Sequence, residues 1–170
     1  MYTRGAMEAE QVLDLRVGVH QRYRHTALCF LERGALMHPA KVAVVDEVGS
    51  YTYGQLFGLV RSVGTALAKA NVAGSPVIVF AEKGVPALAT MLGTLAAGGF
   101  YVPVDSTVPA LRAGLIAEVL GDPVVVADRA CQSLAREVFS DRDVLVAEDL
   151  LGGPIDSERL DAIARETVDT

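Results

Sequence analysis

The feature that most constrains this chain is an alternation. Between residues 77 and 147, short runs of apolar β-formers take turns with stretches of helical periodicity, joined by short connections. Val77-Ile78-Val79-Phe80-Ala81 has no in/out pattern of its own, the mark of a strand covered on both faces. A helix over 86–97, a strand over 100–104, a helix over 109–120, a strand over 124–127, a helix over 129–138 and a strand over 144–147 follow in order. Strand–helix–strand units with short links require right-handed crossovers. The expected fold class is therefore α/β, a parallel sheet layered between helices. Pro86 and Pro109 fall in first helical turns, where the missing N–H costs nothing.

Upstream, Leu28, Leu31, Ala35 and Leu36 predict a helix over 26–37 that His38-Pro39 closes, because proline disfavours the helical region for the residue before it. Strands over 42–45 and 51–53 around the Gly49-Ser50 turn predict an N-terminal β-hairpin. Leu56, Leu59, Val60, Val63 and Leu67 mark an amphipathic helix over 55–70. The expected organisation is a lead-in at 1–25, an α/β domain at 26–150 and an acidic tail at 151–170. The tail holds a polar helix candidate at 157–166, with Leu160 and Ile163 as its large apolar contacts.

Charge sharpens that division. Residues 1–135 carry 11 basic and 11 acidic side chains, whereas 136–170 carry 4 and 10 and supply the whole net charge of −6. A chain of this balance does not read as a nucleic-acid binder, which needs a basic face to neutralise phosphates. The basic run 16–24, with His20 and His25, reads as a solvated lead-in. Twenty uncharged residues at 85–104 reach membrane-spanning length, but Pro86, Gly93, Gly98-Gly99 and Pro103 break any single helix, so the stretch reads as a buried helix followed by a buried strand. No membrane contact is expected. With charged residues throughout the first 16 positions no signal peptide is expected, and two cysteines 102 positions apart suggest no disulfide or zinc framework; the expected location is the cytoplasm.

Ligands of open parallel sheets sit beyond the carboxyl ends of the strands. Here those ends carry Glu82-Lys83-Gly84, Asp105-Ser106-Thr107, Asp128-Arg129 and Glu148-Asp149. Lys83 is the cation best placed to meet a phosphate, yet loops of this kind are polar by default and acidic residues favour helix starts. Phosphate-loop, dinucleotide and nucleophile-elbow motifs are absent from the sequence. Cys29 reads as a packed thiol and His38 as a helix-end residue. Cys131, in a first helical turn, is a candidate for a lowered thiol pKa.

The segment HPAKVAVVDE at 38–47 with YTYGQL at 51–56 resembles the start of adenylate-forming (AMP-dependent synthetase/ligase) enzymes, above all the adenylation domains of nonribosomal peptide synthetases. LAAGGFYVPVD at 95–105 resembles that family's second core motif, L-K-A-G-x-A-Y-V-P-[IL]-D, and Pro109-Ala110-Leu111-Arg112 stands where the family has P-x-x-R. Ala96 replaces the usual lysine. The resemblance runs over about 26–147 and implies the beginning of a larger N-terminal domain, incomplete here, whose phosphate loop would begin near Thr170. It implies a parent reaction of carboxylate and ATP to acyl-adenylate and pyrophosphate, with Mg²⁺, then loading of a carrier protein. No catalytic, cofactor-binding or metal-binding residue is assigned to this chain, which is expected to be inactive alone and to bind no cofactor alone. Its implied partners are the remainder of the adenylation domain or a carrier protein. The alternative is a non-catalytic interaction module docking on a synthetase or carrier protein. A third reading is a complete small enzyme with its site around Lys83 and Asp105.

The apolar fraction of 51% and mean hydropathy of +0.34 are high for a soluble domain. They suit part of a larger core, with an exposed apolar face and self-association expected.

Overall fold

The structure, a computed structural model, describes residues 27–168. The basic lead-in, with His20 and His25, lies outside the described residues. Helix α1 (Ala27–Met37) leads into a hairpin of β1 (Val42–Val45) and β2 (Ser50–Thr52), paired antiparallel. Then follow α2 (Tyr53–Lys69), β3 (Pro76–Phe80), α3 (Val85–Ala96), β4 (Phe100–Val104), α4 (Ala110–Leu120) and β5 (Val124–Ala127). The chain continues through α5 (Gln132–Val138), β6 (Val144–Val146), α6 (Ala147–Leu150) and α7 (Ser157–Val168). Strands β3 to β6 form one parallel sheet in the order β4-β3-β5-β6.

Alternation along the strands sorts side chains into two cores. Val77 and Val126 face α1, α2 and α3, joining Leu28, Leu56, Val60, Val63 and Leu92. Ile78, Phe80, Val125 and Ala127 face α4 and α5, where Phe80 and Phe139 meet edge to face at 5.6 Å. The layered α/β class is thus as expected, and β3 is buried along Val77–Phe80 as its unpatterned sequence predicts.

Strand β4 departs from expectation. It stands at the sheet edge, with Phe100, Tyr101 and Pro103 exposed and only Val104 fully buried. Proline has no N–H for a ladder and belongs on an edge, so Pro103 agrees with that position. Several boundaries also move. Tyr53 opens α2 and does not close the hairpin, because Thr52 and Gln55 form a reciprocal capping box: Gln55 N–H donates to Thr52 Oγ1, and Thr52 N–H donates to Gln55 Oε1. Pro109 is the N-cap of α4, just outside it. Helix α5 starts at Gln132, three residues later than expected, and Ala147 belongs to the short helix α6 that periodicity does not reveal.

Two contacts hold the α2 layer together. Helices α2 and α3 cross at Gly64 and Gly93, where a Cβ on Gly93 would lie 2.8 Å from Val63 Cβ and 3.0 Å from Gly64 N. The acidic segment folds back along α2. Ser62 Oγ donates to Leu150 O (2.6 Å), Asp156 N–H donates to Thr65 Oγ1 (3.1 Å), and Arg159 Nη2 donates to Ala68 O (2.6 Å). Leu160 is 2% exposed and sits in the core beside the half-buried Ile163.

Candidate functional site

The strand order reverses at β3: the chain passes from β3 to β4 on one side, then to β5 on the other. That makes the crevice between the carboxyl ends of β3 and β5 the topological switch point, the place where such sheets take ligands. Asp128, at the end of β5, closes it. Its Oδ2 accepts from Glu82 N–H and its Oδ1 from Cys131 N–H, both at 2.7 Å, and the residue is 7% exposed. A buried carboxylate requires such partners, and here two backbone donors supply them.

Cys131 beside it is buried, and both that burial and the neighbouring Asp128 push its thiol up to about 11. The lowered pKa expected at this position is not found: α5 has only seven residues, and a carboxylate faces the thiol. A thiol that titrates so high keeps only roughly a hundredth of its ordinary thiolate fraction near neutral pH. At pH 8, Cys131 in the folded chain is therefore expected to alkylate with iodoacetamide at least ~100-fold more slowly than in the unfolded chain. Peptide mass mapping checks this, and equal rates would contradict the buried assignment.

The other strand ends are equally self-contained. Asp105 Oδ1 accepts from both Thr107 Oγ1 (2.7 Å) and Thr107 N–H (2.9 Å), which hold its carboxyl below the usual range; Lys83 adds a smaller pull in the same direction. Arg129 N–H donates to Glu148 Oε2 (2.8 Å), and its guanidinium pairs with Asp149 at the surface. Cys29 is half-buried, and His38 closes α1 through its N–H to Gly34 O (2.8 Å).

Asp46 is a residue that sequence reasoning misses. From the hairpin it sends Oδ2 to Val85 N–H (3.1 Å) at the start of α3, while Oδ1 accepts from Val48 and Gly49 N–H. These donors lower its pKa, that from Val85 most. Gly84 gives α3 no side-chain cap, so a remote carboxylate occupies the donor end that an external anion would use. Local sequence holds one usable signal, an Asp followed by Gly three residues on at a turn; its reach to α3 depends on tertiary placement.

Asp46, Asp105 and Asp128 are already engaged by backbone or hydroxyl donors, and among the described residues no group of three or more His, Cys, Asp or Glu is poised for a metal. A recess of 440 Å³ is lined by Tyr51, Gly58, Leu59, Ser62 and Gly153, and one of 260 Å³ lies against α1. Among the described residues no helix is long and apolar enough to cross a membrane.

Comparison with known proteins gives a consistent result. The family described as AMP-binding enzyme matches residues 31–166. A hybrid PKS-NRPS synthetase, iliA of Neonectria sp. (strain DH2), is 30% identical over 131 residues, which are 76% of this chain and 3% of that protein. Nonribosomal peptide synthetase GRA1 of Gibberella zeae is 33% identical over 132 residues, 74% of this chain and 2% of that protein. Among solved structures, the nonribosomal peptide synthetase FmoA3 in its α-methyl-L-serine-AMP bound form superposes with a TM-score of 0.65 at 29% identity, over 72% of this chain and 14% of that one. VinN shares the fold, with a TM-score of 0.67 at 19% identity over 84% of this chain and 37% of that one. The chain thus spans only a small share of the synthetases it resembles.

Proposed function

The chain belongs to the AMP-binding enzyme family, and from that premise we propose that it is the opening part of an adenylation domain that activates an amino acid. In the complete domain a carboxylate oxygen of the amino acid attacks the α-phosphorus of ATP. The α–β phosphoanhydride bond breaks, pyrophosphate leaves, and the acyl-adenylate then acylates a carrier-protein thiol, which gives up its proton as the acyl–phosphate bond breaks and AMP leaves. ATP and Mg²⁺ are the cofactors of that parent reaction; cytoplasmic work suits the two free cysteines.

The observation that carries the reading is an unfinished surface. On α4, Leu111 (79% exposed), Leu115 (52%) and Val119 (87%) line up at i, i+4 and i+8, while Ala113 and Ala117 on the opposite side are buried. A helix apolar on both sides belongs inside a larger body. Edge strand β4 adds exposed Phe100 and Tyr101. The remainder of the domain is the proposed cover for these residues.

In an ATP–pyrophosphate exchange assay across the proteinogenic amino acids, this chain alone is expected to give no exchange above a no-enzyme blank. Exchange at the rate of an intact adenylation domain would overturn the proposal. The same stripe also favours a second reading, a non-catalytic module that docks on a synthetase or carrier protein. Light scattering after size exclusion separates the two: on the second reading the chain forms a stoichiometric complex with an intact synthetase, and on the first it does not.

A further inference from the structure

The 260 Å³ recess against α1 has a composition unlike the rest of this acidic chain. Arg33, His38 and Lys41 line it together with Phe30, Met37 and Tyr53, and no carboxylate does. Among the described residues none of these three side chains meets a carboxylate at ion-pair distance. Arg33 and Lys41 thus form a small basic spot in a chain of net charge −6.

The recess is built on fixed backbone. Tyr53 lies flush against Gly34, where any side chain would collide with its ring. His38 N–H donates to Gly34 O (2.8 Å), Lys41 N–H to His38 O (3.0 Å), Tyr53 N–H to Lys41 O (2.9 Å) and Gly54 N–H to Pro39 O (3.0 Å). The loop carrying His38 and Lys41 is thereby tied to α1 on one side and to α2 on the other. Phe30, 75% exposed, stands at the rim as an apolar contact.

We propose that this recess docks an acidic segment of a partner protein, one in which carboxylates flank a large apolar side chain. The carboxylates would meet Arg33, His38 and Lys41, and the apolar side chain would pack on Phe30 and Tyr53. Charge complementarity selects the sign of the partner. The mixture of rings and cations selects a peptide over a nucleic acid, whose binding rests on about 6–10 phosphate contacts along a basic face. Arg33 and Lys41 on a chain of net charge −6 do not make such a face. The inference does not depend on the catalytic reading of the parent domain.

A fluorescein-labelled peptide, Glu-Glu-Leu-Phe-Asp-Glu-Leu, titrated with the full chain tests this by fluorescence anisotropy. Saturable binding is expected. It should weaken at least about tenfold in the doubly reversed variant Arg33→Glu/Lys41→Glu and several-fold between about 50 and 300 mM salt. Phe30→Ser should weaken it without changing the salt slope. Both variants alter exposed side chains, so circular dichroism should be unchanged. The proposal fails if the peptide shows no binding up to about 1 mM, or binds the reversed variant equally. It fails equally if inorganic phosphate or oligothymidylate displaces the peptide at lower concentration than unlabelled peptide does.

Discussion

Gly93→Leu is expected to abolish cooperative folding of this chain. Gly93 lies where α3 crosses α2, and even a single added carbon would approach Val63 Cβ and Cγ1 to 2.8 Å and the backbone N of Gly64 to 3.0 Å. Overpacking a core ordinarily costs about 1–3 kcal/mol. Here one colliding group is main chain and another is a β-branched side chain that is itself fully buried, so neither swings aside. Leucine would have to separate the two helices, and a loss above about 4 kcal/mol approaches the whole stability of an ordinary domain. Gly58→Ala in α2 is the matched control. A Cβ there meets nothing within 4 Å, and the helix should gain about 0.5–1 kcal/mol from the better helix former. Urea titrations followed by circular dichroism check both; a folded Gly93→Leu chain with an unchanged midpoint would refute the close crossing.

Leu160→Asp is the second large effect. Residues 151–170 read as an acidic tail by composition, yet Leu160 is 2% exposed between α2 and α3. An aspartate there forfeits the burial of a leucine and places a carboxylate among aliphatic side chains with no donor prepared for it. The combined loss is about 4–5 kcal/mol or more, unless α7 detaches. Detachment would break the hydrogen bonds from Arg159 to Ala68 O and from Asp156 to Thr65. Amide hydrogen exchange distinguishes the outcomes: global loss of protection, or loss confined to α7 and the α2 residues beneath it. Unchanged protection throughout would mean that α7 does not dock.

Most elements of this fold are legible in the sequence because their periodicities are local. The unpatterned run at β3 announces a central strand, and β1, β4 and β5 begin and end at the residues expected. Neighbour relations are not local. β3 and β4 look alike as apolar strings, but one is central and the other is an edge; the interior position of Pro103 separates them, since the proline of β3, Pro76, is its first residue. The capping box Thr52/Gln55 is written at the start of α2, whereas the two tyrosines beside it favour strand. At the strand ends the sequence identifies where the carboxylates stand, without their partners. Asp128 becomes a buried bridge only because β5 lies next to β3, and Asp46 reaches α3 from 39 residues away.

The exposed margin of β4 has a consequence for how the chain meets other strands. Phe100 N–H is bonded inward to Ser75 O (3.1 Å), so strand alternation also turns the N–H groups of Val102 and Val104 inward, towards β3. The outward positions are Tyr101 and Pro103, which present two carbonyl oxygens and a single N–H. An incoming strand would find acceptors but one donor in reach, a poor template for extending the ladder. Apolar side chains can bring molecules together at this margin, while the main chain withholds the hydrogen bonds that would turn such an encounter into a continuous intermolecular sheet.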